Sequence, residues 1–265
     1  MSDRLDIEID RHVAIVRLNR PQKHNAIDFE MFEAIMESGA RLAADSNIRA
    51  VVLTGAGDNF CAGIDLSAFK GEGIGAAGSG RMDPVDGSPA NFFQKAAYAW
   101  REIPGPVIAA IKGVAFGGGL QIALGADIRY ATADAQLSVM EIKWGLIPDM
   151  SISVTAHHLM PIDKAKELAF TGRIISGSEA HAAGLVTDVK TDPLASAIEL
   201  AGQIAARSPH AIRAIKKLFD ETWHTDTAES LQLEATLQSS LMGTPNQLEA
   251  VMANMQKREP DFSDS

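Results

Sequence analysis

The sequence has almost no cysteine: among its 265 residues there is one, Cys61. A single cysteine cannot form an internal disulfide bond, which is typical of a protein in a reducing compartment. The sequence also lacks any apolar run close to the ~20 residues that span a bilayer. Its charged first residues, MSDRLDIEID, do not resemble a signal peptide. Together these absences predict a soluble, cytoplasmic protein.

Basic residues are scarce relative to acidic ones, with 24 Lys and Arg against 34 Asp and Glu, for a net charge of −10. Because a basic patch supplies most of the affinity for nucleic acids, a nucleic-acid partner is not expected. A small anionic ligand, which needs only a local group of donors, is not excluded. With 46% hydrophobic residues the chain can form one large domain, or a domain with an appendage.

Short apolar runs alternate with helical patterns in the first part of the chain. The strand-like runs are HVAIVRL (12–18), AVVLTGAG (50–57), PVIAAI (106–111), DIRYAT (127–132) and AQLSV (135–139). This alternation predicts an α/β fold with buried strands. From about Ile152 onward the patterns are almost all helical. Between Lys70 and Asn91 a Gly-, Ser- and Pro-rich segment without period predicts disorder or a mobile flap, including a flap beside an active site.

Three consecutive glycines, Gly117 to Gly119, stand where a strand meets a helix in GVAFGGGLQIALG (113–125). The dinucleotide pattern G-x-G-x-x-G fails because Ile122 occupies its last position, and no G-K-[ST] sequence is present. Two interpretations remain open: close packing of helix on strand, or backbone N–H groups that face a developing negative charge. A second glycine turn at Gly63 also follows a strand. Two such turns could aim two N–H groups at one oxygen.

Two carboxylates stand among apolar residues in EIKWGLIPD (141–149), namely Glu141 and Asp149. Apolar surroundings raise the pKa of a carboxyl group, which suits a general acid or base. The alternatives are that Glu141 points to solvent and that Asp149 forms a turn or helix cap after Pro148. The sequence leaves these alternatives open.

The segments NFCAGIDL (59–66), GVAFGGGLQIALGADIRYATADAQLSV (113–139) and EIKWGLIPD resemble the crotonase (enoyl-CoA hydratase/isomerase) superfamily. The resemblance implies a crotonase-like ββα superhelix core over residues 1–195 and a C-terminal helical trimerisation region over residues 196–265. It implies homotrimers, often paired into hexamers, that act on acyl-CoA thioesters. Coenzyme A would be part of the substrate; no separate cofactor, metal ion or membrane partner is implied.

The same resemblance assigns roles to individual residues. The backbone N–H groups of Ile64 and Gly118 would form an oxyanion hole for the thioester oxygen, and Glu141 would be the main acid/base. Residues expected to contact coenzyme A are Lys23, Ala26, Ala62, Asp65, Leu66, Lys257 and Phe262. Contacts to coenzyme A from the C-terminal pair, Lys257 and Phe262, often come from a neighbouring subunit.

The reaction depends on Gln121, which stands where hydratases of this family have a second glutamate. An amide does not accept a proton at neutral pH, so water addition loses one of its two acids. Glu141 and Asp149, eight residues apart, resemble instead the acid pair of dienoyl-CoA isomerases. We therefore expect double-bond isomerisation of an enoyl- or dienoyl-CoA. Hydration of a 2-enoyl-CoA and a non-catalytic acyl-CoA-binding role remain the alternatives.

Overall fold

The computed structural model describes residues 3–65, 67, 81–157 and 159–264. Leu66 and residues 71–80 of the predicted flap therefore lie outside the described residues. Strands within the described part of the chain form two sheets. They are β1 (Leu5–Asp10), β2 (Val13–Leu18), β3 (Ala50–Gly55), β4 (Val107–Ile111), β5 (Val114–Phe116), β6 (Ile128–Ala131), β7 (Gln136–Ser138), β8 (Ile175–Ser176) and β9 (Asp188–Val189).

The larger sheet has the strand order β1-β2-β3-β4-β6-β9. Its first pair, β1 and β2, is antiparallel, and every later pair is parallel. The smaller sheet has the order β5-β7-β8, in which β5 and β7 run parallel. Because β5 begins only three residues after β4 ends, the chain passes directly from the large sheet into the small one at this point.

Helices cover both faces of the large sheet. In the described residues they are α1 (Phe29–Ala44), α2 (Phe92–Arg101), α3 (Gly118–Leu124), α4 (Ile152–Thr155), α5 (Ile162–Thr171), α6 (Gly177–Ala182), α7 (Pro193–Ala205), α8 (Pro209–Thr222), α9 (Thr227–Leu241) and α10 (Pro245–Gln256). Asp28 caps α1 by accepting a 2.9 Å hydrogen bond from the N–H of Met31, a role for which aspartate is favoured. Asn91, at the end of the predicted flap, caps α2 in the same way.

Alternate residues of each central strand pack into two different apolar clusters. In β2, Ala14, Val16 and Leu18 join the cluster that contains residues of α1 and α2. Val13 and Ile15 join the opposite cluster, against α7. This period of two shows a sheet buried on both faces. The predicted α/β fold is confirmed.

The predicted boundary between residues 195 and 196 falls within α7. Ala197 and Ala201 of this helix are fully buried against the sheet, so α7 packs as part of the core. The helices α8, α9 and α10 follow it. The division of the chain into two domains stays a prediction. No helix in the described ranges is long and apolar enough to cross a membrane.

Candidate active site

The two glycine turns lie side by side, beyond the carboxyl ends of β3 and β4. The loop after β3 reaches β5, where Cys61 pairs with Ala115 and its carbonyl accepts a 3.0 Å hydrogen bond from the N–H of Phe116. At Gly63 the backbone has a φ of +89°, and a Cβ there would lie 2.6 Å from the Phe116 carbonyl oxygen. Glycine at position 63 therefore allows the two turns to meet.

The three consecutive glycines serve different purposes. Gly117 has a φ of 51°, a conformation that favours glycine. A Cβ on Gly119 would lie 2.3 Å from the carbonyl oxygen of Cys61, so this glycine allows close packing. The close packing of helix on strand that the sequence left open is therefore found at Gly119, whereas the role of backbone N–H groups at this turn stays a prediction.

Two residues of these turns, Ile64 and Gly118, line the same cleft and have backbone N–H groups without a protein acceptor in the described part of the chain. Ile27 donates to the Gly63 carbonyl and accepts from the Asp65 N–H, each at 2.8 Å, which fixes the peptides on both sides of Ile64. Gly118 is the first residue of α3, where N–H groups have no partner within the helix. Within the described part of the chain, neither the Ile64 nor the Gly118 N–H donates a hydrogen bond. Both are thus available to a ligand.

The cleft between the turns has a cavity volume of about 230 Å³. Most of the side chains around it are apolar, and its acidic residues are the two predicted from the sequence. The described lining residues are Ala62, Gly63, Ile64, Met82, Phe93, Phe116, Gly117, Gly118, Met140, Glu141, Trp144, Leu146, Ile147 and Asp149. This is the environment of a small-molecule site that takes an apolar group.

Glu141 is buried, with 9% of its surface exposed, so it does not point to solvent. Its Oε1 atom accepts a 2.6 Å hydrogen bond from Nε2 of Gln121. Its Oε2 atom is buried and has no hydrogen-bond partner among the described residues. Burial raises the pKa of the Glu141 carboxyl group. A buried carboxylate with one free oxygen is suited to accept a proton.

Asp149 lies at the rim of the same cleft and remains exposed to solvent. The protein around its carboxyl group removes part of the water that would stabilise the ionised form, and the pKa of Asp149 is raised for that reason. The charge of Asp149 also contributes to the raised pKa of Glu141, so the two carboxyl groups interact. The pair combines a buried carboxyl with one that can exchange protons with water.

Gln121, on α3, is almost fully buried, with 1% of its surface exposed. Besides its bond to Glu141, its Oε1 accepts a 2.8 Å hydrogen bond from the N–H of Met150. The resemblance stated from the sequence implies that an amide replaces a glutamate at this position. It does not show that the amide binds Glu141 directly, because Gln121 and Glu141 are twenty positions apart.

Several candidate coenzyme A residues lie together beside the cleft. Ala62 lines it, and the Ala62 N–H donates to the carbonyl of His24 at 2.9 Å, next to Lys23. Lys23 is exposed at the end of a short 3₁₀ turn, and Ala26 follows two residues after His24. These backbones form one wall. Leu66, also predicted here, lies outside the described residues.

Asp65 is held by protein groups in this same wall. Its Oδ1 accepts hydrogen bonds from the hydroxyl and N–H of Ser67, and its Oδ2 lies 3.1 Å from Nη2 of Arg20. These interactions, with Ser67 the largest contributor, lower the pKa of Asp65. Arg20 also donates to the carbonyl of Ala26. Sequence reasoning missed Arg20, although its place at the start of the RPQKHNA turn was a usable signal.

The two C-terminal candidates do not lie at this cleft in the single chain. The Phe262 carbonyl accepts a 2.9 Å hydrogen bond from Arg49, which precedes β3 at the opposite end of the strand from the glycine turns. Lys257 is exposed after α10 and is not among the described lining residues. That either residue contacts coenzyme A from a neighbouring subunit stays a prediction.

Comparison with known proteins identifies the family of the chain. Residues 8–265 match the protein family described as enoyl-CoA hydratase/isomerase. Enoyl-CoA hydratase EchA19 of Mycobacterium tuberculosis is 34% identical over 258 residues, covering 97% of this chain and 95% of that protein. Mitochondrial Delta(3,5)-Delta(2,4)-dienoyl-CoA isomerase of Mus musculus is 33% identical over 258 residues, covering 94% of this chain and 78% of its own length.

A solved structure gives the same result for the fold. The crystal structure of an enoyl-CoA hydratase from Bacillus anthracis superimposes with a TM-score of 0.91 at 30% identity, covering 99% of this chain and 100% of that one. The crotonase-like fold predicted from the sequence motifs is confirmed. So is the prediction of an enzyme of the hydratase/isomerase type. The chain belongs to the enoyl-CoA hydratase/isomerase family.

Proposed function

We propose that the protein isomerises a carbon–carbon double bond in an enoyl- or dienoyl-CoA thioester. The observation that carries this proposal is the hydrogen bond from Gln121 to Glu141, 2.6 Å long. It makes residue 121 a donor to the carboxylate rather than a second acid that activates water. Hydratases of this family are expected to add water with a pair of glutamates. In this chain the amide of Gln121 stands at one of the two positions.

In the proposed mechanism the thioester oxygen accepts hydrogen bonds from the N–H groups of Ile64 and Gly118. Oε2 of Glu141 removes a proton from C2, and the electron pair of that C–H bond moves into a conjugated enolate, a dienolate from a 3-enoyl-CoA and a trienolate from a 3,5-dienoyl-CoA. The negative charge then rests largely on the thioester oxygen. Losing one preorganised donor at such an oxygen typically costs about 3–4 kcal/mol in the barrier.

The second step returns a proton to the far end of the conjugated system. For a 3-enoyl-CoA, protonated Glu141 would return it to C4, which gives the 2-enoyl product. For a 3,5-dienoyl-CoA, protonated Asp149 would give a proton to C6, which yields the 2,4-dienoyl product. The raised pKa of Asp149 supports this donor role. Because Asp149 is exposed, solvent can restore its proton while Glu141 releases the one it took.

The carbon skeleton would occupy the apolar part of the cleft. Phe116, Met140 and Trp144 line it, and none of them supplies a charge that could compete for the proton. An apolar, poorly hydrated site strengthens the hydrogen bonds at the thioester oxygen, because the local dielectric constant is low. The free N–H groups would then act on the thioester oxygen, and the free carboxylate oxygen on the neighbouring C2, of one substrate.

The proposal is tested by incubating the protein separately with a 2-enoyl-, a 3-enoyl- and a 3,5-dienoyl-CoA. Absorbance of the conjugated thioester and product mass are followed. We expect the 3-enoyl or 3,5-dienoyl substrate to gain conjugation at unchanged mass, and the 2-enoyl substrate to gain water slowly or not at all. Rapid water addition to the 2-enoyl-CoA would contradict isomerisation and support hydration. Tight binding without turnover of any substrate would support a non-catalytic role.

A further inference from the structure

The Gln121 side chain joins the two segments that carry the carboxylates. Its Nε2 donates to Oε1 of Glu141 at 2.6 Å, and its Oε1 accepts from the Met150 N–H at 2.8 Å. The Met150 N–H belongs to the peptide bond that follows Asp149. The same amide therefore contacts one carboxylate directly and fixes the backbone from which the other side chain extends.

The direction of both hydrogen bonds is fixed by chemistry. A backbone N–H can only donate, so the amide oxygen of Gln121 must face Met150 and its NH₂ group must face Glu141. Glu141 therefore uses Oε1 as an acceptor. Movement of the Glu141 side chain away from Gln121 would break this bond and leave the amide of a buried residue unsatisfied, at a cost in free energy.

Packing restricts the same oxygen from the other side. A Cβ on Gly117 would lie 3.2 Å from Oε1 of Glu141, so the backbone of the glycine turn is close to the carboxylate. Gln121 stands four residues later on α3, and its buried position limits its own alternatives. The bonded oxygen is held between helix and turn, and Oε2 is the oxygen without a partner among the described residues.

We propose that Gln121 is a positioning residue that orients Glu141 and the Asp149–Met150 peptide together, so that Oε2 of Glu141 is presented to the substrate as the proton acceptor. The inference rests on the isomerase function proposed above. Gln121 itself transfers no proton, because an amide does not titrate in this range. Its identity places an amide, rather than another carboxyl group, against Oε1 of Glu141.

Gln121 also affects the pKa of Glu141. Burial is the main cause of the raised pKa, and the charge of Asp149 acts in the same direction. Hydrogen bonds from the Glu141 backbone and from the NH₂ group of Gln121 favour the ionised carboxylate and so oppose burial. In the described part of the chain, Asp149 is the charged residue that acts on Glu141. Removing the amide donor should therefore raise the pKa of Glu141 further.

Two variants separate this role from simple packing. Gln121→Met keeps an unbranched side chain of similar length but removes both hydrogen bonds. Gln121→Glu keeps the size and the acceptor for the Met150 N–H but replaces the donor with an oxygen. Gln203→Met is the matched control, because Gln203 is exposed on α7 and its Nε2 donates to Glu199 at 3.3 Å.

The first readout is the pKa of Glu141, measured by NMR titration of ¹³C-labelled glutamate carboxyl groups and assigned with Glu141→Gln. We expect a rise of about one pH unit in Gln121→Met, equivalent to a tenfold change in the proton affinity, and a larger rise in Gln121→Glu because of like-charge repulsion. Gln203→Met should give the wild-type titration. An unchanged Glu141 pKa in both Gln121 variants would overturn the proposal.

The second readout is the pH profile of isomerisation. The acidic limb of kcat should move to higher pH in both Gln121 variants, while KM changes less than kcat. Gln121→Glu should also add water to a 2-enoyl-CoA faster than the wild type does. A uniform loss of activity with an unmoved pH profile would mean that Gln121 only fills space. If no substrate is isomerised by the wild type, the proposed function fails, whereas the NMR titration still decides the role of Gln121.

Discussion

The two ends of the parallel strands differ in whether their polar groups have hydrogen-bond partners within the described protein. At the amino end of β3, Arg49 donates to Asp264 at 2.6 and 2.8 Å and to the carbonyls of Ala205 and Phe262. Its donors tie the C-terminal segment to the core. At the carboxyl end, two N–H groups and Oε2 of Glu141 have no protein partner among the described residues.

We therefore expect the polar groups at the amino end of the sheet to act on stability, and those at the carboxyl end to act on the reaction. Hydrogen-bonded buried charges stabilise the native state, whereas unpartnered buried polar groups cost stability unless a ligand binds them. The lowered pKa of Asp264, caused first by its hydrogen bond from Arg49, and the raised pKa of Glu141, caused first by burial, have opposite signs for that reason. Substitutions at the two ends should therefore affect different measurements.

The largest effect is expected at the carboxyl end of the strands, on the kcat of Glu141→Gln. Removing the proton acceptor should lower kcat for isomerisation by about 10²–10⁴-fold, the usual contribution of a general base. Steady-state kinetics with a 3-enoyl-CoA measures this, with Glu234→Gln on the exposed face of α9 as the control. Isomerisation that survives unchanged in Glu141→Gln would exclude Glu141 as the base.

A large effect on stability is expected at the amino end of β3, from Arg49→Met. Asp264 and two carbonyl groups would lose their donor, which should cost about 1–3 kcal/mol. Thermal unfolding should show a lower Tm, by about 2–4 °C for each kcal/mol in a chain of this size class. The rate constant well below Tm should stay at the wild-type value. Arg173→Met, at an exposed ion pair, should change neither quantity; a loss of kcat in Arg49→Met would break the comparison.

A substrate-dependent effect is expected from Asp149→Asn. If Asp149 protonates C6, its amide should slow isomerisation of a 3,5-dienoyl-CoA by about 10²-fold. A 3-enoyl-CoA, whose proton Glu141 can return itself, should react at close to the wild-type rate. The ratio of the two rates is the measurement. Equal losses for both substrates would show that Asp149 is not the distal proton donor.

The smallest effect concerns stability against pH. Between the ordinary glutamate pKa of 4.5 and the raised pKa of Glu141, the native state binds more protons than the unfolded state. The free energy of unfolding therefore falls as the pH rises through this window. Glu141→Gln should lack that component, so its stability relative to the wild type should increase as the pH rises. Denaturant titrations across pH 4–8 test the sign; a difference independent of pH would contradict it.

Much of the fold follows from local sequence patterns. The central strands β2, β3, β4 and β6 coincide with apolar runs of the sequence, and Asp28 and Ser208 cap α1 and α8, as is typical of these residue types. The edge strand β1 is not predicted by an apolar run, because charged residues alternate with the apolar residues of LDIEID. In that strand Leu5 and Ile7 are half-buried, whereas Asp6 and Glu8 are exposed.

The site could be predicted only in part, because its interactions join distant parts of the chain. The glycine turns and the apolar company of Glu141 are visible locally. The bonds that connect Gln121 to Glu141 and to Met150 depend on how α3 packs against the turn that begins at Glu141. The distance of Phe262 from the cleft likewise depends on the path of the C-terminal segment to Arg49, which no local motif reports.

The central claim is that the carboxyl groups in the cleft, at the carboxyl end of the strands, transfer protons between carbon atoms of the substrate without adding water. The most direct measurement is the mass of the product formed from a 3,5-dienoyl-CoA in H₂¹⁸O, with a 2-enoyl-CoA run in parallel. The account predicts a conjugated product of unchanged mass that contains no ¹⁸O, and little labelled product from the 2-enoyl-CoA. A product that carries ¹⁸O as the main species, formed from either thioester at a higher rate than isomerisation, would contradict it.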